Sequence, residues 1–315
     1  MHKKKDVLVS VVMITYNHEK YIKQAIEGVL MQKTDFDVEL ILSNDCSTDQ
    51  TDKVIKAVLK EHQGKHNIKV RYYNHLVNKG SMENFIWSMQ QAQGKYIALC
   101  EGDDYWTDPY KLQKQVDFLE RNENVSMCFT NGIIYDVKSK SKINTLYNYK
   151  SGIIDKYNFI KKGSSAFITA SIMIKKKVVD KFLLDNNRFT FNIGDLPLML
   201  FSCIEGEIGY INDITCVYRL NTPNSWTEKH QNYEDIYKNI KHSIKIVNYY
   251  RNLSTDKKFK LATKSLIQNY YSFLILEKDK FENYKIIKLF FLLRHFFKLN
   301  YKHFIIHLNN ILLPK

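Results

Sequence analysis

The chain has 315 residues, of which 44% are hydrophobic and 25% are charged. This composition is typical of globular proteins and argues against a disordered chain. No run reaches the roughly 18 consecutive apolar residues of a transmembrane helix. The basic and apolar N-terminus lacks a small-residue cleavage site, so we interpret it as a first strand and expect a cytoplasmic protein.

The five cysteines are odd in number and scattered, at Cys46, Cys100, Cys128, Cys203 and Cys216. None belongs to a C-x-x-C pair. This pattern favours reduced thiols over a disulfide framework or a zinc site.

The positive charge is concentrated towards the C-terminus. The whole chain has 47 Lys and Arg against 33 Asp and Glu, a net charge of +14. Residues 231–315 hold 16 Lys and Arg against six Asp and Glu. Most of the surplus therefore belongs to the last part of the chain.

Strand-like and helix-like segments alternate in the first half of the chain. Strands are predicted at 7–14, 38–43, 68–73 and 95–100, and helices at 19–32, 48–62 and 81–93. Short strands separated by helices imply right-handed crossovers. We therefore predict an α/β fold with a mostly parallel central sheet flanked by helices.

The second half has a mixed pattern. After Asp108 and Pro109, a good N-cap and first-turn pair, a helix is predicted over 110–122, followed by strands at 125–136, 168–176 and 207–220. The sequence becomes helical and rich in aromatic residues after Trp226. We place a domain boundary near residue 228, with a helical region over 229–315.

Polar segments follow three of the predicted strands, at 15–17, 44–49 and 101–104. Ligands of parallel sheets bind beyond the carboxyl ends of the strands. The chain has neither the G-x-G-x-x-G of a dinucleotide site nor a P-loop. A divalent cation on Asp103, with Glu101 or Asp104 beside it, would supply positive charge for a diphosphate. The alternative is a solvated acidic loop that caps the next helix, and the residues alone leave both interpretations open.

Five segments together resemble family 2 glycosyltransferases in order and spacing: VSVVMITYN, SNDCSTDQT, VNKG, CEGDDYWTDPYKL and NIGDLPL. The similarity covers about residues 7–226. It implies an inverting, metal-dependent enzyme of the GT-A fold, of the kind that builds bacterial surface polysaccharides. The resemblance assigns a Rossmann-like nucleotide-binding half to 1–135 and an acceptor half to 136–228.

The resemblance also implies a donor site, position by position. Asp45 matches an aspartate that accepts a hydrogen bond from the base, usually uracil, and its alternative role is an Asx-turn or helix cap. Glu101 stands where an aspartate is more usual, and Asp103 is the implied metal ligand for Mn²⁺ or Mg²⁺. The implied nucleotide-sugar-binding residues are Thr15, Tyr16, Asn17, Asp45, Asn78, Lys79, Gly80, Glu101, Asp103 and Asp104.

Asp195 lies where the family carries its catalytic base. On the residues alone, an Asp before Leu and Pro is typical of a helix N-cap. Asp213 is the next carboxylate to consider. The segment YRLNTPNSW resembles a loop that commonly carries a histidine near the diphosphate. Asn221 takes the matching position, and Arg219 is the alternative contact.

The segment from Lys285 to Lys315 lies outside the resemblance. It has six Lys or Arg, no acidic residue, and five interleaved phenylalanines. A polar stripe is predicted at Lys288, His295, Lys302 and Asn309. The pattern suits a peripheral helix on the inner face of the membrane. It equally suits a helix packed on the catalytic domain or on a second subunit in a homodimer.

The leading hypothesis is a hexosyltransferase-type enzyme that transfers a sugar from a nucleotide donor, with a UDP-sugar expected, to a glycan or lipid-linked acceptor. A sugar-nucleotide nucleotidyltransferase is the enzymatic alternative, although the turn after the first strand lacks the glycine-rich basic loop of such enzymes. A basic nucleic-acid-binding protein is the non-enzymatic alternative. No nucleic-acid-binding motif is present, so we expect no nucleic-acid partner.

Overall fold

The structure, a computed structural model, describes residues 8–64, 68–143, 150–185, 194–223, 225 and 233–277. The strands are β1 Val9–Thr15, β2 Val38–Asn44, β3 Lys69–Asn74, β4 Tyr96–Leu99, β5 Tyr105–Trp106, β6 Val125–Asp136, β7 Ser141–Ile143, β8 Gly152–Ile154, β9 Ile172–Lys175 and β10 Glu207–Leu220. The helices are α1 Ile22–Leu30, α2 Thr51–Glu61, α3 Ser81–Gln90, α4 Lys111–Arg121, α5 Lys156–Ile160, α6 Lys176–Leu184, α7 Asp195–Glu205, α8 Tyr233–Leu253 and α9 Lys257–Glu277.

One sheet joins these strands in the order β3-β2-β1-β4-β9-β6-β10-β5, with β7 beside β6 and β8 beside β10. Strands β3, β2, β1 and β4 run parallel. Strand β9 enters antiparallel between β4 and β6. The predicted α/β architecture with a central sheet flanked by helices is confirmed. The sheet is parallel from β3 to β4 and becomes mixed from β9 onwards.

Several predicted element ends differ from the structure by one to four residues, and two of them have an evident cause. The strand predicted over 168–176 is shorter, because Ser171 bonds back to the carbonyl of Ile168 through its backbone N–H at 2.9 Å and its hydroxyl at 2.6 Å. These bonds close a short 3₁₀ turn before β9. Helix α4 begins at Lys111 rather than directly after Asp108, whose carboxylate accepts from Tyr110 N at 2.8 Å and forms an Asx-turn ahead of the helix.

The core consists of two hydrophobic clusters on opposite faces of the sheet. Val12 belongs to one cluster, whereas its neighbours Val11 and Met13 belong to the other, as the two-residue period of a strand requires. The first cluster also contains Val247 of α8 and Leu266 of α9. The C-terminal helices therefore share a core with the sheet, while the predicted division at residue 228 stays a prediction.

No helix among the described residues is both long and apolar enough to span a membrane. The predicted basic segment from Lys285 to Lys315 lies outside the described residues, so its membrane or packing role stays a prediction.

Lys111 is fully buried beside Trp106, which belongs to the same hydrophobic cluster as Val11 and Met13. Its ammonium lies 4.3 Å from the centre of the Trp106 ring and donates to Gln115 Oε1 at 2.6 Å. Burial lowers the pKa of Lys111 to about 8, against a partial opposing effect from Cys216 and Cys128. The charged form is therefore less stable inside the protein than in the unfolded chain.

We expect the free energy of unfolding to rise between about pH 8 and pH 10.5 because of Lys111. In this range the unfolded chain keeps a proton that the native lysine has lost, so stability increases with pH. The full rise is about 3 kcal/mol. Denaturant unfolding of Lys111→Met should show a flatter profile than the wild type. Arg121→Met, whose side chain is 77% exposed on the same helix, is the matched control. An identical slope in wild type and Lys111→Met would contradict the assignment.

Candidate active site

The carboxyl ends of β1, β2 and β4 meet at one edge of the sheet. Thr15 pairs with Asn44 in the parallel register of β1 and β2. Beyond β4 the chain stays beside β1, because Gly102 N donates to Ile14 O at 2.9 Å. The three polar strand-end segments therefore lie together, as expected for ligand sites in parallel sheets.

The turn after β1 is held in a left-handed conformation. Asn17 has a φ of 56°, which asparagine tolerates better than most residues. Its side-chain oxygen accepts from Thr48 N at 2.8 Å, which ties the turn to the loop after β2. Thr15 Oγ1 lies 3.1 Å from His18 Nδ1, and Tyr16 between them is partly buried. The structure thus brings the predicted nucleotide-contacting residues into one braced turn.

Asp45 is buried and organises the neighbouring loop. Its two carboxylate oxygens accept from Lys79 N at 2.8 Å and from Gly80 N at 3.0 Å. Asn78 Nδ2 donates to the Asp45 carbonyl at 3.1 Å. Gly80 has a φ of +84°, a conformation that favours glycine. Asp45 therefore shapes the predicted loop, and its recognition of a base stays a prediction.

The acidic turn 101–104 approaches the β1 turn closely. A Cβ on Gly102 would lie 2.5 Å from Thr15 Oγ1, so glycine is needed for this approach. Asp103 Oδ2 accepts from Thr222 Oγ1 at 2.8 Å and lies 3.8 Å from His18 Nε2. Its carboxylate thus faces the β1 turn and the loop after β10.

Arg219 of β10 fixes the backbone of the acidic turn. Its N–H donates to Asp104 Oδ1 at 2.9 Å, and its guanidinium donates to the carbonyl of Asp103 at 2.5 Å. The guanidinium carbon lies 5.1 Å from the centre of the Tyr21 ring and 4.3 Å from that of Tyr105. Arg219, predicted as an alternative contact near a diphosphate, is engaged in holding this turn.

Crowded carboxylates dominate the electrostatics of the turn. Burial raises the pKa of Glu101 to about 8, with further contributions from the negative charges of Asp103 and Asp195. Burial also raises the pKa of Asp104 well above its usual range, again helped by Asp103 and then Glu101. The site thus favours positive charge, since a cation would relieve the repulsion.

Asp195 lies at the start of α7, within electrostatic range of the acidic turn. It is the first residue of this helix, and Gly194 takes the N-cap position that was the alternative for Asp195. Its carboxylate accepts from Leu196 N at 2.7 Å and from the Ser164 side chain. Burial raises the pKa of Asp195, which these hydrogen bonds partly oppose. The charge of Asp195 acts on Glu101 although the two residues are far apart in the sequence.

Two other predicted residues, Asp213 and Asn221, have partners outside the acidic turn. Asp213, the second candidate base, pairs with Lys114 at 2.6 Å, and about half of its side chain is exposed. Asn221 adopts a φ of 61° and donates to Asp136 Oδ1 at 3.1 Å. The next residue, Thr222, provides the contact to the acidic turn instead.

The acidic turn provides carboxylate oxygens, which are the ligand atoms that hard divalent cations prefer. Asp104 Oδ2 is buried and has no hydrogen-bond partner among the described residues. Within these residues, no cluster of three or more His, Cys, Asp or Glu forms a ready metal cage. Mg²⁺ is commonly held by one or two carboxylates together with phosphate oxygens of the substrate. Asp103, with Asp104 beside it, matches that type of site.

Sequence reasoning missed several residues of the site. Thr222 directly follows Asn221, and His18 directly follows the Thr-Tyr-Asn turn, so proximity to a motif could have indicated both. Ser164, in the segment KKGSSAF, belongs to no motif. Its contact with Asp195 depends on the fold alone.

Residues 10–183 match the family model described as glycosyl transferase family 2. An uncharacterized protein of Mycobacterium tuberculosis is 43% identical over 120 residues, which is 38% of this chain and 34% of the relative. An uncharacterized glycosyltransferase of Methanocaldococcus jannaschii is 31% identical over 56% of this chain and 59% of its own length. The putative teichuronic acid biosynthesis glycosyltransferase TuaG of Bacillus subtilis is 34% identical over 36% of this chain and 42% of its own. The match thus spans about a third to three fifths of these relatives.

Solved structures share the fold at low sequence identity. S. aureus TarS 1–349 in complex with UDP-GlcNAc has a TM-score of 0.66 at 17% identity, covering 90% of this chain and 78% of that one. The mannosyltransferase PcManGT of Pyrobaculum calidifontis, in complex with GDP-Man and Mn²⁺, has a TM-score of 0.59 at 13% identity, covering 96% and 86%. The predicted GT-A architecture and family resemblance are confirmed. Since the family model matches more than half of the sequence, the chain belongs to glycosyl transferase family 2.

Proposed function

We propose that this glycosyltransferase transfers a sugar from a UDP-sugar to a saccharide or lipid-linked acceptor with inversion, in cell-surface polysaccharide synthesis. The bound UDP-GlcNAc of the TarS neighbour supports a nucleotide-sugar donor. The teichuronic acid role in the name of the relative TuaG supports a surface-polysaccharide acceptor. Family membership favours this proposal over a nucleotidyltransferase or a nucleic-acid-binding protein.

One observation carries the proposal. Glu101 and Asp103 belong to the acidic turn at the carboxyl edge of the sheet, and Asp195 of α7 lies within electrostatic range of Glu101. Folding thus maintains a costly concentration of carboxyl groups, whose charged forms are disfavoured by burial and mutual repulsion. Such concentrations are typical of active sites, where shifted pKa values serve catalysis.

The site residues have two roles in this proposal: most of them bind the donor, and one acts as the general base. On the donor side, the braced segments 15–17 and 78–80 and the carboxylate of Asp45 surround the strand ends where the nucleotide would bind. Asp103 would hold Mn²⁺ or Mg²⁺, which when bound supplies positive charge for the leaving diphosphate. Thr222 and Arg219 orient Asp103 for that role.

Asp195 acts as the general base in this proposal. An inverting transfer is a single displacement in which the acceptor hydroxyl loses its proton as it attacks the anomeric carbon. A carboxylate within hydrogen-bond reach accepts that proton. Burial raises the pKa of Asp195 and so increases its proton affinity. Asp195 belongs to α7 and not to the acidic turn, so it is not among the carboxylates that would hold the cation.

A thermal-shift screen tests the donor class. We expect UDP and UDP-sugars to raise the unfolding temperature in the presence of Mn²⁺ and to raise it less in EDTA, because a ligand that binds only the native state stabilises it by mass action. Donors that bind are then assayed for release of the nucleoside diphosphate. A shift with GDP-Man but none with UDP-sugars would mean that the donor carries guanine rather than uracil. No shift with any nucleotide would contradict the proposed donor site.

A further inference from the structure

The C-terminal helix α9 reaches the neighbourhood of the proposed base. It packs against α5 and the short 3₁₀ turn Gly163–Ala166 that follows α5. Asn269 Nδ2 donates to the carbonyl of Lys161 at 3.0 Å. One residue further along α9, Tyr270 lies against the turn itself. Helix α9 lies beyond residues 10–183, which the family model matches.

The turn is built around the phenol of Tyr270. Gly163 has a φ of +59°, in the left-handed region that favours glycine. A Cβ at this position would lie 2.7 Å from Tyr270 Oη and 3.0 Å from a methyl carbon of Leu266. The backbone of Gly163 and the Tyr270 hydroxyl therefore occupy adjoining space with no room for a larger residue.

The residue after Gly163 connects this turn to the base. Helix α7, which begins at Asp195, packs against this turn. A hydrogen bond from the Ser164 side chain lowers the pKa of the Asp195 carboxyl group, which also accepts from Leu196 N at 2.7 Å. Leu196 N is fixed by helix α7, whereas the position of Ser164 depends on the turn that Tyr270 supports.

Tyr270 lies within electrostatic reach of Asp195. Burial and the negative charge of Asp195 raise the pKa of Tyr270, so the phenol keeps its proton at neutral pH. A hydrogen bond from Ser243 of α8 partly opposes this rise in the pKa of Tyr270. Both C-terminal helices thus contribute to the environment of the base.

We propose that Ser164 and Tyr270 are positioning residues for Asp195, with Ser164 orienting the carboxylate and Tyr270 holding the turn that carries Ser164. This inference rests on the proposed role of Asp195 as general base. It makes the C-terminal helices part of the catalytic apparatus on the acceptor side, next to where the attacking hydroxyl must lie.

The test combines Ser164→Ala and Tyr270→Phe with Asp195→Asn. In the otherwise unchanged protein we expect each substitution to lower kcat for UDP release from UDP-GlcNAc, or from the UDP-sugar selected in the screen, by about 10- to 100-fold. UDP affinity in Mn²⁺ should remain unchanged. In the Asp195→Asn background neither substitution should lower kcat further, because both act through the same carboxylate. Ser164→Thr keeps the hydroxyl and should retain most activity, and Tyr271→Phe is the matched control on α9.

A measurement that needs no substrate accompanies the kinetics. A ¹³C NMR titration of Asp-labelled protein, assigned by difference against Asp195→Asn, reports the pKa of Asp195. We expect Ser164→Ala to raise this pKa, since the hydrogen bond from Ser164 lowers it. Tyr270→Phe should shift it in the same direction if the turn loosens.

The possible outcomes distinguish a failure of the positioning role of Ser164 and Tyr270 from a failure of the general-base role of Asp195. If Asp195→Asn lowers turnover as expected while Ser164→Ala leaves both kcat and the pKa of Asp195 unchanged, the positioning role is wrong and the base assignment stands. If Asp195→Asn itself has no effect on turnover, both are wrong. Equal losses from Tyr270→Phe in the presence and absence of the Asp195 carboxylate would show that Tyr270 acts only on the fold.

Discussion

Replacing Asp195 with Asn is expected to lower turnover by about 10²- to 10⁴-fold, the usual contribution of general-base catalysis. Asparagine has nearly the same shape and can still accept from Leu196 N, so the helix start should persist. It cannot accept the acceptor's proton. Donor and metal binding should persist, because Asp195 is not among the residues proposed to contact the donor or to hold the cation.

Stability should move in the opposite direction to activity. Burial raises the pKa of Asp195, so the native state retains this proton to higher pH than the unfolded chain. Stability from this group is therefore present at low pH and is lost as the pH rises through the folded pKa. At neutral pH Asp195→Asn removes a buried charge, and its unfolding temperature should equal or exceed that of the wild type.

Nucleoside diphosphate release, nucleotide affinity and thermal unfolding measure these effects together. Asp213→Asn is the matched control, because Asp213 is paired with Lys114 and partly exposed. Near-normal turnover of Asp195→Asn would transfer the role to another carboxylate. Loss of donor binding would instead assign Asp195 a structural role.

Replacing Asp103 with Asn is expected to abolish turnover and the effect of Mn²⁺ on UDP binding. The amide oxygen can still accept from Thr222 Oγ1, so the loop after β10 should keep its place. The negative charge that would attract a divalent cation is lost. Asp103→Asn should also lower the pKa of Glu101, because the charge of Asp103 contributes to raising it.

Binding of Mn²⁺ and UDP can be followed by calorimetry, independently of turnover. Asp108→Asn, which alters a carboxylate on the loop before α4, controls for a general loss of negative charge. Equal turnover of the wild-type enzyme in EDTA and in Mn²⁺ would refute a metal role for Asp103. Arg219 and His18 would then be the side chains to examine at the leaving group.

The sequence by itself determined the parallel half of the sheet and the three segments at its carboxyl edge. Strand and helix periods are local properties, and the rule that ligands bind at the carboxyl ends of parallel strands needs only strand order. For this reason the residue pattern alone locates the segments 15–17, 44–49 and 101–104. The family resemblance then separated Asp195 from an ordinary helix cap.

Only the tertiary structure decided which residues support the candidate site from a distance. Arg219 and Thr222 reach the acidic turn because β10 lies beyond β9 and β6 in the sheet order, with β9 inserted antiparallel. No periodicity encodes that insertion. The contact between Ser164 and Asp195 and the approach of Tyr270 to Gly163 likewise depend on how helices α7 to α9 pack on the sheet. Packing is set by the shape of the whole core, which side chains distant in the sequence build together.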